Sequence, residues 1–155
     1  MHNRKVKGED ATSKGLYKPV NPGKYLGDKT KIWYMSSWEL DVHRFLDTNP
    51  NIINWGSEII QIPYFKRLTN RMHTYHVDYY VKMRQSSGKI VEELWEVKPY
   101  AQTKEPKMTK RKKQSTYIHE KTTYETNKDK WLAASRFCEE KGIKFRILTE
   151  RDIFI

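Results

Sequence analysis

A mixed α/β sandwich around one sheet is the fold class the sequence predicts. Three observations carry it: an amphipathic stretch of helical period near residues 37–48, a strand run and hairpin between 59 and 98, and a second helical stretch that gives way to a strand ending at 148. With 155 residues the chain has room for about one domain. No internal repeat interrupts the order helix, strand, hairpin, helix, strand.

Each element has a local cause. Residues 1–31 hold eight Lys/Arg against three Asp/Glu, scattered glycines and prolines, and almost no apolar period. They are expected to form a basic extended arm, with Tyr17, Tyr25 and Leu26 pinning its second half to the domain at 32–155. Trp38, Val42, Phe45 and Leu46 then fall on one helical face over 37–48. Ser36 followed by Glu39 makes a capping box, and Asn49-Pro50 stops the helix. Ile59, Ile60, Ile62 and Tyr64 predict a short strand ending near Pro63. Tyr75 to Met83, the turn residues Gln85-Ser86-Ser87-Gly88, and Ile90 to Lys98 read as a hairpin. After a Lys-rich loop, a helix ends at Lys141 with Gly142 as its cap, Ile143 to Leu148 forms a last strand, and 151–155 a short tail.

Composition bounds the function classes. Thirty Lys+Arg against nineteen Asp+Glu give a formal charge of +11, which makes a polyanion, and nucleic acid first, the expected partner. Only 37% of residues are hydrophobic, so the core leans on five Trp, ten Tyr and five Phe. No apolar stretch approaches the roughly 18 residues of a membrane span, and the N-terminus lacks the apolar segment of a secretory signal. Cys138 is alone, which fits a buried thiol in a reducing compartment.

The informative chemistry is Asp78 on one hairpin strand and Glu96-Val97-Lys98 on the next. Alternation puts Glu96 and Lys98 on one face, and the hairpin can bring Asp78 beside them. Two carboxylates close together call for a partner, and a hard cation is the natural one. Mg²⁺ takes one or two carboxylates plus water and phosphate oxygens, and the lysine ammonium would orient a water or neutralise charge on a scissile phosphate.

These residues, with Val77-Asp78-Tyr79, Leu94-Trp95-Glu96-Val97-Lys98-Pro99 and a helix bearing Ser36-Ser37-Trp38-Glu39-Leu40, resemble the PD-(D/E)xK nucleases, and within them the TnsA-like branch. Further runs, Tyr17-Lys18-Pro19, Tyr25-Leu26-Gly27-Asp28, Asn49-Pro50-Asn51-Ile52-Ile53 and Lys141-Gly142, are similar to bacteriophage head-completion nucleases, and the likeness extends over nearly the whole chain from Tyr17. The resemblance implies a restriction-endonuclease-like fold: a mixed central sheet flanked by helices. It also implies an Mg²⁺-dependent DNA nuclease, with Mn²⁺ as a substitute, that processes packaged DNA ends before tail joining. Asp78 and Glu96 would be metal ligands, the Val97 carbonyl a third, Glu39 a member of the acidic cluster, and Lys98 the motif lysine. Val77 stands where the superfamily has its proline. Phage head, portal or neck proteins would be partners, and the host cytoplasm or the virion the place of action.

Each residue has a blander competitor. Glu39 is accounted for by capping alone, Glu92 and Glu93 by solvated strand faces, and Glu58 by an exposed edge. His73 and His76, three apart on a strand, point to opposite faces, so no zinc is expected. Lys104, Lys107, Lys110, Arg111, Lys112 and Lys113 follow Lys98 directly and are expected to contact DNA phosphates. The competing functions are a noncatalytic DNA-binding or head-structural protein on a nuclease-like fold, and an RNA-binding module, which lacks a recognisable aromatic-on-sheet signature.

Overall fold

The structure, a computed structural model, describes residues 14–153. The elements run β1 (Gly15–Leu16), β2 (Trp33–Tyr34), α1 (Ser37–Thr48), β3 (Ile52–Lys66), β4 (Arg71–Arg84), β5 (Ile90–Val97), α2 (Gln114–Lys141), β6 (Lys144–Leu148) and α3 (Glu150–Ile153). Short 3₁₀ turns lie at Pro22–Lys24 and Tyr100–Thr103. β1 and β2 form a small antiparallel pair, and the main sheet has the order β3-β4-β5-β6. Its hairpins are antiparallel, whereas β6 joins β5 in parallel after the α2 crossover. This is the mixed α/β sandwich with helices flanking one sheet that the sequence predicts.

α1 begins and ends at the expected residues because its capping is local. Ser36 Oγ accepts from the Glu39 N–H at 3.2 Å, and Glu39 Oε2 accepts from the Met35 N–H at 2.6 Å, one residue earlier than the standard box partner. α2 ends where Gly142 adopts φ 68°, which turns its N–H back to the carbonyls of Cys138 and Glu139. Cys138 is buried, and burial pushes its thiol up to about 11.

Three expectations change. Glu93, expected on a solvated strand face, is buried, accepts from Trp95 Nε1 at 2.8 Å and lies 3.4 Å from the Arg146 guanidinium. β3 has 15 residues rather than a short run, because Asn54, Ser57, Glu58 and Gln61 break its alternation in sequence while its backbone stays paired with β4. Pro63 lies inside it, tolerated because β3 is an edge strand. Residues 150–153 form a short helix instead of a tail, started by Thr149, whose N–H donates to Asp152 Oδ2 at 2.9 Å.

Two core clusters lie against the sheet. One, beneath α1, gathers Val42, Leu46, Trp55, Tyr79, Val81 and Trp95 together with Tyr25 and Ile32. The other joins Ile62, Tyr64, Tyr75, Val77 and Leu94 to Ala134 and Cys138 of α2. Burying such side chains contributes about 1.5–3 kcal/mol each, and truncating Leu46, which is fully buried, would cost about 2–5 kcal/mol.

The N-terminal segment from residue 14 onward is tied to the domain, and residues 1–13 of the expected arm lie outside the described residues. Tyr25 is buried in the first cluster and Tyr17 packs against it. The fully buried Asp47 accepts from the Tyr17 hydroxyl at 2.6 Å and from the Val20 and Asn21 N–H groups at 2.7 and 2.9 Å. Burial pushes this carboxyl up, but these donors together with Lys24 outweigh it and hold Asp47 below its ordinary value. Among the described residues, no helix is long and apolar enough to cross a membrane.

Candidate active site

The site is built where the sheet forks. β4 and β5 pair from Arg84↔Ile90 to Tyr79↔Trp95, and the ladder stops there. Asp78 and Glu96 are the next residues on either strand. Asp78 Oδ2 accepts from the Val97 N–H at 2.8 Å, so a side-chain carboxylate takes the place of a ladder carbonyl. On the other flank of β4, the register jumps from Ser57↔Tyr79 to Ile60↔Val77, so Glu58 and Ile59 together oppose Asp78. Glu58 has φ 55°, uncommon for a residue with a side chain. Bulges of this kind re-aim side chains beside active sites. β4 also passes from one core cluster to the other here, with Val77 packed towards α2 and Tyr79 beneath α1.

Glu96 is 4% exposed and both its oxygens are held. Oε2 accepts from the Tyr75 hydroxyl at 2.5 Å, and Oε1 lies 3.3 Å from Lys98 Nζ. Desolvation raises the Asp78 carboxyl well above its ordinary value, and the charges of Glu96 and Glu39 add to the rise; the Val97 N–H and Lys98 oppose it only in part. Glu39 is raised in the same way, first by burial and then by Glu58 and Glu96, against the Met35 N–H and Lys98. Its carboxylate thus caps α1 while standing within electrostatic reach of the fork.

The base of α1 is fixed from beneath. His43, fully buried, donates from Nε2 to the Trp33 carbonyl at 3.0 Å and accepts at Nδ1 from the Tyr79 hydroxyl at 2.8 Å. The same hydroxyl is 3.2 Å from the Glu39 carbonyl oxygen. Burial lowers the His43 imidazole to about 4, so it is neutral at working pH.

The donors at the fork are hard carboxylate oxygens, which suit Mg²⁺ and Mn²⁺. Among the described residues, no group of three or more His, Cys, Asp or Glu side chains converges closely enough to cage an ion. In general Mg²⁺ needs only one or two protein carboxylates, with water and phosphate completing its shell, and the mutual repulsion of Asp78 and Glu96 is what such an ion would relieve.

The expected DNA loop is partly tied down. Lys104 lies 5.2 Å over the Tyr100 ring, and Lys112 Nζ bonds the Lys107 carbonyl at 2.6 Å and Glu120 at 3.1 Å. Lys107, Lys110, Arg111 and Lys113 are exposed. His73 bonds Thr69 at 2.8 Å and packs against Tyr64. Sequence reasoning missed Tyr75 as the partner of Glu96, and Lys130 of α2, whose Nζ stands 5.6 Å over the Tyr75 ring. No local signal marks either residue: Tyr75 reaches Glu96 where β4 and β5 part, and Lys130 meets the site only through the α2 crossover. Glu58, read as an edge charge, is exposed but acts on Glu39 from the bulge.

Residues 49–150 match the family model of the TnsA-like endonuclease N-terminal domain. Over 141 residues, 88% of this chain and 90% of the relative, the sequence is 43% identical to the head completion nuclease of Enterobacteria phage T4. Asp78, Glu96 and Lys98 all fall inside the family match, whereas Glu39 precedes it. Most of the chain, the residues of the fork included, lies within these matches, and it belongs to the TnsA-like endonuclease family.

Proposed function

We propose that this chain is an Mg²⁺-dependent DNA nuclease that trims packaged DNA ends during phage head completion, before the tail joins. The carrying observation is the fork, where Asp78 and Glu96 stand side by side with Lys98 on Glu96. Asp78 and Glu96 would hold the ion, with the Val97 carbonyl as a further oxygen and Glu39 completing the acidic surround. Bound there, Mg²⁺ would neutralise the carboxylates and polarise the scissile phosphate; Mn²⁺ would substitute. Lys98 has its ammonium at the mouth of the pair and neutralises charge that develops on the phosphate. Tyr75 keeps Glu96 from swinging away, since its hydroxyl fixes one carboxylate oxygen and leaves the other towards Lys98. The exposed loop cations and the net charge of +11 draw the DNA backbone in. The role in head completion rests on the 43% identity to the phage T4 protein and carries with it head, portal or neck partners in the infected host cytoplasm.

Purified protein should cut DNA with Mg²⁺ or Mn²⁺ and stop with EDTA. Lys98→Ala should keep DNA affinity while turnover falls by about 10²-fold or more, as expected of a group acting mainly in the transition state. Absence of cleavage on linear, circular and single-stranded DNA with both metals would overturn the proposal.

A further inference from the structure

Beyond the fork, the turn after Lys98 and the outer half of α2 enclose a cavity of about 380 Å³ lined by Ala101, Gln102, Lys104, Pro106, Tyr124 and Asn127, among others. Asn127 is the unusual member. It is 5% exposed, in the interior of a helix, and its side-chain amide has no hydrogen bond to any described residue. The amide is not among the fully enclosed side-chain atoms that lack a partner, so the little surface it keeps opens on the cavity, where a ligand would complete its hydrogen bonds.

The cavity is joined to the fork by two routes. Ala101 and Gln102 come three and four residues after Lys98. Along α2, Lys130 lies one turn beyond Asn127 on the same face, over the ring of Tyr75, whose hydroxyl holds Glu96. A DNA strand with its phosphate at Asp78 and Glu96 therefore has this cavity within the reach of a neighbouring nucleotide.

The lining selects among parts of that nucleotide. Lys104 and Glu120 both border the cavity, and Glu120 is already paired with Lys112, so the charge of the lining does not by itself favour a phosphate there. Ala101, Pro106 and Tyr124 supply apolar and aromatic surface, and the Asn127 and Gln102 amides each present a donor and an acceptor. Flat apolar walls with amides matched to a heterocycle's edge describe a base pocket. We infer that the cavity receives the nucleobase of an unpaired nucleotide adjoining the scissile phosphate, with Asn127 reading its edge. This rests on the nuclease reading and adds to it a preference for DNA with an unpaired base beside the cut.

The test is binding, in EDTA so that nothing is cleaved, of duplexes with a short single-stranded overhang, compared with the same duplexes carrying an abasic site at each overhang position in turn. Wild-type protein should lose about 10-fold in affinity when the base at one particular position is removed. Thr123→Trp, which fills the cavity from an exposed position, should erase that difference while blunt-duplex affinity and the melting temperature hold, and Asn127→Ala should reduce it. Equal affinity of the wild type for every abasic probe overturns the pocket, whatever the nuclease assay shows. A position-specific loss in a protein that cuts no DNA with either metal would sustain the pocket and overturn the nuclease reading instead.

Discussion

Asp78 and Tyr79 are neighbours on β4, yet their polar groups live under opposite conditions. The Tyr79 hydroxyl is buried against the His43 imidazole and the Glu39 carbonyl, and both groups it touches are uncharged. The Asp78 carboxyl, one residue away, faces a second carboxylate with a single main-chain N–H as its hydrogen-bond donor. Both regions contain buried polar atoms, so burial of polarity does not by itself mark a functional site. The sign of what remains unbalanced does: the Tyr79 hydroxyl is satisfied by uncharged groups, His43 Nδ1 and the Glu39 carbonyl, whereas the fork leaves negative charge for something else to complete.

The sharpest break of this comparison is a pair of isosteric changes. Asp78→Asn keeps an oxygen for the Val97 N–H and removes the charge, so cleavage should fall by at least about 10³-fold while thermal stability in EDTA is equal or higher. Tyr79→Phe should do the reverse: it strands the buried His43 Nδ1, lowers stability by about 1–3 kcal/mol, and spares most of the turnover of folded protein. Parallel melting curves and cleavage assays check both, and a fully active Asp78→Asn protein would remove Asp78 from the site.

Acid sharpens the comparison from the other side. His43 takes up its proton near 6.5 when unfolded but only at about 4 in the folded chain, so the unfolded state binds more protons between these values. Its contribution is fully present above pH 6.5 and is lost as pH falls towards 4, a loss on the order of 3 kcal/mol by the lower limit. Asp47, held below its ordinary value, acts in a separate and more acidic window, since its contribution is lost only as pH falls through its folded value. Denaturant titrations between pH 7 and 4 should therefore show a slope that His43→Gln flattens; an unchanged slope would assign the acid sensitivity elsewhere.

The smallest effect concerns the loop. Neutralising Lys107, Lys110, Arg111 and Lys113 together should reduce the salt dependence of DNA binding, by up to about 0.9 in log–log slope for each phosphate that is no longer neutralised. Lys112→Ala alone should instead loosen the loop, because its ammonium is spent on the Lys107 carbonyl and Glu120. Salt titrations of binding separate the two, and an unaltered slope in the fourfold variant would move the electrostatic footprint to another surface.

Most of this was legible in sequence wherever the cause is local. α1 is bounded by Ser36 and Asn49, α2 is closed by Gly142, and the hairpin strands carry β-branched and aromatic residues. Alternation and the hairpin sufficed to bring Asp78 to Glu96. What stayed hidden depends on residues distant in sequence. The full length of β3 is maintained by its pairing with β4 and not by its own pattern, and Tyr75 reaches Glu96 because the strands fork. Lys130 and Asn127 look like ordinary polar helix residues until α2 is laid across the sheet.

The edge strand β3 also has a bearing on how the protein behaves when crowded. An open strand edge is a template for pairing with another copy, and a 15-residue edge would be a long one. Here it is interrupted three times: the Leu26 N–H takes the Trp55 carbonyl at 2.8 Å, the bulge at Glu58 bends the strand, and Pro63 withholds a donor. No uninterrupted run is left on which a second sheet could zip up, so self-association through this edge is suppressed by the same irregularities that aim side chains at the fork.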